Sequence, residues 1–309
     1  MIACQTQIDA ELRDAARFGW ELCSDHEGRL PEWRLTRNGQ TLFVSAGRHW
    51  LCCSLPVECA VEPAADLWRG LLEQSRRWYA CKYSLDEPSQ VLLQLEIPLD
   101  GFERPECLRA VEALSVYADR HREPVSQGGL VSGDSAGQRR VMVAGGRNPE
   151  SKEFEVLPAE TVALYFSAVE HQGWHLRPEL SPNDWQAVYK GRERKFNVYL
   201  SFSRSWAYFQ VPLAGEPGTT DQRSDHCRKA LYRYLLASNQ QIFWAKFGLD
   251  AAGQVLLMLD VPMATFELKR FRLAAETLAR YADDFSYEIQ IMSDLDRDPQ
   301  LADTLQIMI

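Results

Sequence analysis

The stretch KYSLDEPSQVLLQLEIP at 82–98 returns as KFGLDAAGQVLLMLDVP at 246–262. The repeat is wider than these seventeen residues. A constant offset of 164 aligns Leu71–Asp119 with Leu235–Asp283 without a gap, and 19 of those 49 positions are identical. Upstream, the landmarks keep their order with small shifts. Gly19-Trp20 answers Gly173-Trp174, Trp33 answers Trp185, Trp50 answers Trp206, and Leu55-Pro56 answers Val211-Pro212. Such self-similarity reads as one domain of about 120 residues present twice.

Each copy carries the same signals. Helical spacing of apolar residues over 6–19 and 160–172 ends at the Gly-Trp pairs. Three short strands follow, Trp33–Arg37, Thr41–Ser45 and His49–Leu55 in the first copy. The counterparts are Trp185–Tyr189, Lys195–Ser201 and Ser205–Val211. Asn38-Gly39 is a tight-hairpin signal between the first two. A helix is expected at about 64–75 and 223–237, then a hairpin at 78–98 and 242–262, then a helix reaching Asp119 or Asp283. The order α-β-β-β-α-β-β-α predicts an α+β fold, two tandem domains each with helices on an antiparallel sheet. The domains are expected at 1–122 and 155–287. A Gly/Ser-rich linker (123–154) holds SQGGLVSGDSAGQ, with VMVAGG at 141–146 as a candidate edge strand, and an acidic tail covers 288–309.

In the repeated hairpin, Val91, Leu93, Leu95 and Ile97 alternate onto one face, as do Val255, Leu257, Leu259 and Val261. Pairing Leu85 with Val91 places Lys82 opposite Gln94 and diagonal to Glu96, on the face away from the core. Lys246 and Asp260 repeat the relation. On an exposed face such a pair contributes only about 0.2–1 kcal/mol. Trp78 and Trp244 share that outer face and are not aligned with each other. Trp78, Lys82, Trp244 and Lys246 are therefore the candidate partner-binding residues.

The chemistry of the remaining residues is sparse. The eight cysteines form no C-x-x-C pair, so no zinc site is expected and the thiols read as reduced and mostly buried. His49 with Cys52 and Cys53 is the nearest approach to a ligand set. GDSAG at 133–137 matches a serine-protease nucleophile loop in letters but lacks the histidine, the aspartate and the strand pattern that the chemistry needs. No dinucleotide, P-loop or metalloprotease motif occurs, and the six histidines do not recur between copies. The recurring acids, among them Asp86/Asp250 and Asp119/Asp283, suit turns and helix ends. No catalytic residue, metal or cofactor is expected. Net charge is −9, with −4 of it in the tail, which disfavours nucleic acid and anionic membranes as partners. No apolar run is long enough for a membrane span, and the N-terminus lacks a signal-peptide pattern, so a cytoplasmic location is expected.

At the hairpin followed by FRLAAETLARYAD, the chain resembles the YbjN-like group of bacterial proteins, which share the fold of type III secretion chaperones. The resemblance rests on hydrophobic patterning and spans both repeats. It implies that a tandem copy imitates, within one monomer, the dimer that such chaperones form, with further dimerisation left open. It also implies a non-enzymatic module that binds a protein or peptide, chaperone-like or regulatory. The reading from a different class is a small-molecule-binding regulatory protein or degenerate enzyme with its site in the cleft between the copies.

Overall fold

A computed structural model of the chain describes residues 2–23, 32–59, 65–86, 90–99, 105–120, 157, 159–177, 184–203, 206–216 and 222–294. The expected linker, the candidate strand at 141–146 and the tail beyond Asp294 lie outside the described residues. The helices are α1 (Ile2–Asp14), α2 (Ala65–Arg77), α3 (Pro105–Arg120), α4 (Ala159–Ser167), α5 (Gln222–Gln241) and α6 (Leu268–Asp294). The first set of strands is β1 (Glu21–Cys23), β2 (Glu32–Arg37), β3 (Gln40–Ala46), β4 (Trp50–Val57), β5 (Cys81–Leu85) and β6 (Val91–Pro98). The second is β7 (Trp174–Leu176), β8 (Asp184–Lys190), β9 (Lys195–Phe202), β10 (Trp206–Gly215), β11 (Ala245–Leu249) and β12 (Gln254–Pro262). These form two antiparallel six-stranded sheets, in the orders β1-β2-β3-β4-β6-β5 and β11-β12-β10-β9-β8-β7. The α+β class and the similarity of the two halves are as expected from the sequence.

Local chemistry explains the boundaries. Asn38 and Gly39 both hold positive φ (50° and 80°), which a two-residue hairpin turn with the right twist requires. Gly19 and Gly173 take the left-handed conformation that ends the preceding helical turn. Each sheet has one more strand than the sequence pattern shows, β1 and β7. Three residues after a Gly-Trp stop are too few for an alternation to register. The last helix also runs past the expected end. Residues 288–294, expected as solvated tail, form the final turns of α6, where Ile289 and Met292 are buried.

The compact units are not the two sequence repeats. Unit 1 comprises Met1–Pro63, Ala80–Gly146 and Leu236–Trp244; unit 2 comprises Ala64–Tyr79, Arg147–Leu235 and Ala245–Ile309. Each unit thus holds the sheet of one repeat and a helical segment supplied by the other.

In unit 1, α1 and α3 cover one sheet face, where Trp33, Leu35, Leu42, Val44, Leu51, Leu55, Leu93 and Leu95 are buried. Trp20 donates its indole N–H to Ser115 Oγ on α3 at 2.5 Å, and Trp33 donates to the Asp9 carboxylate on α1. In unit 2, α4 and α6 cover the corresponding face, packed by Phe166, Trp174, Tyr189, Phe209, Phe266 and Phe271. Here Trp174, the counterpart of Trp20, has no hydrogen-bond partner for its buried Nε1 among the described residues, and Ala279 stands at the position that aligns with Ser115. A hydroxyl at that position would offer the acceptor that Trp20 has in unit 1. Ala279→Ser is expected to stabilise unit 2 by about 1 kcal/mol, the usual net worth of a buried hydrogen bond, read as a higher denaturant midpoint at unchanged slope.

Candidate functional site

The repeated hairpin is buried on both faces. Every residue of β5, β6 and β11 is buried, as are Val255–Val261 of β12. The register is the expected one, with Leu85 opposite Val91, Lys82 opposite Gln94 and Lys246 opposite Met258. The environment is not. Lys82 is 1% exposed and Lys246 3%, so the placement of both on an open face is corrected. What covers the outer face is chain from some 160 positions away, which no register argument can supply.

In unit 1 the cover is the end of α5 with residues 242–244. Lys82 Nζ donates to the Ile242 carbonyl at 2.5 Å and pairs with Glu96 at 2.7 Å. Asn239 Nδ2 donates to the Tyr83 carbonyl at 2.9 Å, and Ser84 Oγ to Gln240 Oε1 at 3.0 Å. In unit 2 the cover is α2 with Trp78 and Tyr79. Lys246 Nζ donates to the Trp78 carbonyl and pairs with Asp260 at 2.6 Å. Trp78 and Ile242 are equivalent under the 164-residue offset. The amide of each still donates to the carbonyl four residues back, at 3.0 Å, closing the last helical turn. Each lysine therefore meets a carbonyl at a helix C-terminus, where the chain has no further N–H to offer and the helix dipole favours a cation. The carboxylate beside each ammonium keeps its charge compensated in a dry site.

Unit 2 holds its helix more closely than unit 1. A Cβ placed on Gly248 would lie 2.9 Å from the Leu72 carbonyl oxygen and 2.6 Å from Met258 Cε, so α2 lies against bare backbone. Arg69 pairs with Glu216 at 3.0 Å and with Glu73 at 2.9 Å, and Tyr232 donates its hydroxyl to Glu216. Lys229 lies 5.5 Å from the Trp68 ring centroid, a cation–π contact. Gly248→Ala forces the helix off the strand and is expected to cost about 1–3 kcal/mol, as overpacking does. Thermal unfolding monitored by near-ultraviolet circular dichroism checks it. The equivalent Ser84→Ala, at a position already bearing a Cβ, is expected to cost less.

The start of β4 and β10 is where the units diverge. In unit 2, Tyr79 stacks on Trp206 (centroids 5.8 Å, planes 6° apart) and touches Tyr208 (5.6 Å). Tyr208 bonds Ser203 Oγ at 3.0 Å, and burial above all pushes its phenol pKa up. In unit 1, Phe243 replaces Tyr79, Trp50 replaces Trp206, and Cys52 replaces Tyr208. The matching registers show this, since Trp50 and Trp206 face Pro98 and Pro262, while Cys52 and Tyr208 face Glu96 and Asp260. Trp50 stacks on Phe243 (5.9 Å, 13°) and touches Trp244 (6.1 Å). Phe243 is 37% exposed, and Trp50, Cys52 and Trp244 are half-buried. Burial first, then Glu96, pushes the Cys52 thiol up to about 12 while Lys82 pulls it down, so it stays a neutral thiol at pH 7. Trp244 holds φ at 65°, and its equivalent Ala80 at 54°. A tryptophan in the left-handed region is strained, and it is held there two residues after Ile242, whose carbonyl Lys82 binds.

Of the four candidate residues, Lys82 and Lys246 bind helix ends, Trp78 is buried beside one of them, and Trp244 alone reaches the surface in part. The sequence reading missed Trp50 and Phe243 as a cluster with Trp244. The only signal for it was the mismatch between copies, Cys52 against Tyr208 and Trp244 against Ala80. Among the described residues, no group of three or more His, Cys, Asp or Glu is placed to hold a metal ion. No helix among them is long and apolar enough to cross a membrane.

No family model matches the chain, and no curated protein matches it. Among solved structures, a chain of the "Crystal Structure of the ExsC-ExsE Complex" aligns at 18% identity. The alignment covers 43% of this chain and 96% of that one, with a TM-score of 0.31.

Proposed function

We propose that this chain is a non-enzymatic, chaperone-like or regulatory module that binds a protein or peptide. One observation carries the reading. The outer sheet face of each unit is a surface that holds polypeptide: Lys82 and Lys246 donate from the sheet to the main chain at the end of a helix of distant sequence, and Asn239 of the held segment donates back to the Tyr83 carbonyl. Main-chain recognition of this kind suits a surface that accepts more than one sequence, and the two units already accept two different ones. The aromatic cluster Trp50–Phe243–Trp244 borders the occupied face in unit 1 and is left partly open, as interface aromatics are before binding. The resemblance to YbjN-like proteins agrees with this reading. A cytoplasmic location, and a partner-contacting role for the exposed part of Trp244, belong to the same proposal.

Affinity purification from the source cells tests it, comparing the wild-type chain with a Phe243→Ser/Trp244→Ser variant of unchanged circular dichroism. The expected result is a stoichiometric polypeptide on the wild-type chain that is lost from the variant. Recovery of no protein, or of the same proteins on both chains, overturns the reading.

A further inference from the structure

The turn between β8 and β9 sets unit 2 apart from unit 1. In unit 1 the matching hairpin closes on Asn38 and Gly39, and Arg37 at its base pairs with Asp119 at 2.7 Å. In unit 2 the turn is Gly191–Arg194, closed by the Gly191 amide donating to the Arg194 carbonyl at 3.0 Å. Residues 190–195 carry the cations Lys190, Arg192, Arg194 and Lys195 against the single acid Glu193, in a chain whose net charge is −9. Arg192 is balanced from α6, by Asp284 at 3.1 Å and Asp283 at 3.9 Å. The other three cations have no carboxylate within ion-pair distance among the described residues. We infer that this hairpin end binds an acidic stretch of polypeptide, whose carboxylates meet Lys190, Lys195 and Arg194. The inference rests on the protein-binding reading and names the chemistry of the partner.

Three features select that occupant. Lys190 and Lys195 are both exposed and stand directly opposite each other in the register. Like charges so placed repel and destabilise a hairpin, and an anion laid across them removes the repulsion. Arg194 is half-buried, its guanidinium carbon 4.8 Å from the Phe196 ring centroid. Its Nη2 donates to the Leu213 carbonyl at 3.3 Å, and Nη1 reaches only the neutral Gln290 Oε1 at 3.5 Å. The buried Nε has no hydrogen-bond partner among the described residues. Burial pulls the pKa of this guanidinium down, and a carboxylate beside it would restore the charge it has lost to desolvation. The lysines also open onto a bare strip of sheet. Alternation turns them to the outer face, where Asn197 is exposed and Tyr199 is 37% exposed. The helix α2 packs on β11, at the other end of the strand order from β8 and β9. Tyr199 lies about 13 Å along the strand from Lys195, so one short extended segment reaches both. A long polyanion such as nucleic acid meets the negative charge of the whole chain, whereas a short acidic stretch meets the cations within a Debye length.

The test titrates the full-length chain into fluorescein-labelled hexaglutamate and follows the anisotropy. Labelled hexaglutamine is the control, and labelled decathymidine is the nucleic-acid arm. The expected result is saturable binding of hexaglutamate, none of hexaglutamine, and a dissociation constant that rises with salt. Lys190→Gln with Lys195→Gln is expected to weaken hexaglutamate binding by about tenfold. Both side chains are exposed, and removing two like charges that face each other should leave the melting temperature at or above that of wild type. Lost binding in that variant is therefore not lost folding. No binding of hexaglutamate, equal binding of hexaglutamine, or an unchanged affinity in the double variant overturns the inference. Tighter binding of decathymidine than of hexaglutamate assigns the patch to nucleic acid and overturns it too. If the affinity partner binds wild type and the double variant equally, the acidic-partner inference is refuted while the protein-binding reading stands. If hexaglutamate binding depends on the two lysines but no polypeptide is recovered from cells, the acid-binding patch stands and the protein-binding reading falls.

Discussion

Lys246→Ala is expected to destabilise unit 2 by about 3–5 kcal/mol, the cost of leaving a buried charge without its partner. The Asp260 carboxylate would stay enclosed without its ammonium, and the Trp78 carbonyl would lose the donor that ends α2. Lys82→Ala is expected to do the same in unit 1 through Glu96 and the Ile242 carbonyl. Denaturant unfolding measures both. A loss under about 1 kcal/mol would mean that the pairs behave as surface ion pairs, as the sequence alone suggests. Lys246→Met with Asp260→Leu separates charge from packing. Replacing both partners by apolar groups of similar size removes the desolvation penalty together with the attraction, so the double variant should recover most of the loss.

Cutting the chain between Gly133 and Asp134, at an inserted protease site, is expected to leave its two halves together. After cleavage they should elute from a sizing column as one species of uncut mass and separate only in denaturant. The reason is the composition of the units. The sheet of unit 2 packs on α2, which lies before the cut, and the sheet of unit 1 holds 236–244, which lies after it. Leu71, Leu72, Leu236 and Ile242 are buried in these seats and would be stripped into water if the halves parted. Two independent peaks under native conditions would refute the exchange of helices. Adding Lys82→Ala and Lys246→Ala to the cut chain should move it toward separate halves.

These two results divide what was legible in the sequence from what was not. The period-two alternation of Val91, Leu93, Leu95 and Ile97 and its copy at 255–261 gave the hairpins, their register and the core-facing side, because strand geometry sends alternate side chains to opposite faces whatever lies beyond them. Asn38-Gly39 gave a turn because its dihedral demand is local. Lys82 and Lys246 were placed on the right face and given the wrong environment. A lysine among apolar neighbours reads as exposed unless the chain that covers it is known. The cluster of Trp50, Phe243 and Trp244 was out of reach for the same reason, since its members come from opposite ends of the sequence.

By itself, then, the sequence determined most of the elements, the register of the repeated hairpins and the likeness of the two halves, all of which depend on backbone geometry and on neighbours within a few residues. The tertiary structure alone decided that each sheet takes its outer helix from the other repeat, that two lysines end those helices, and that Trp50 stacks on Phe243 beside Trp244. Those outcomes depend on burial by residues some 160 positions away, and burial sets the cost of a charge and the exposure of a ring.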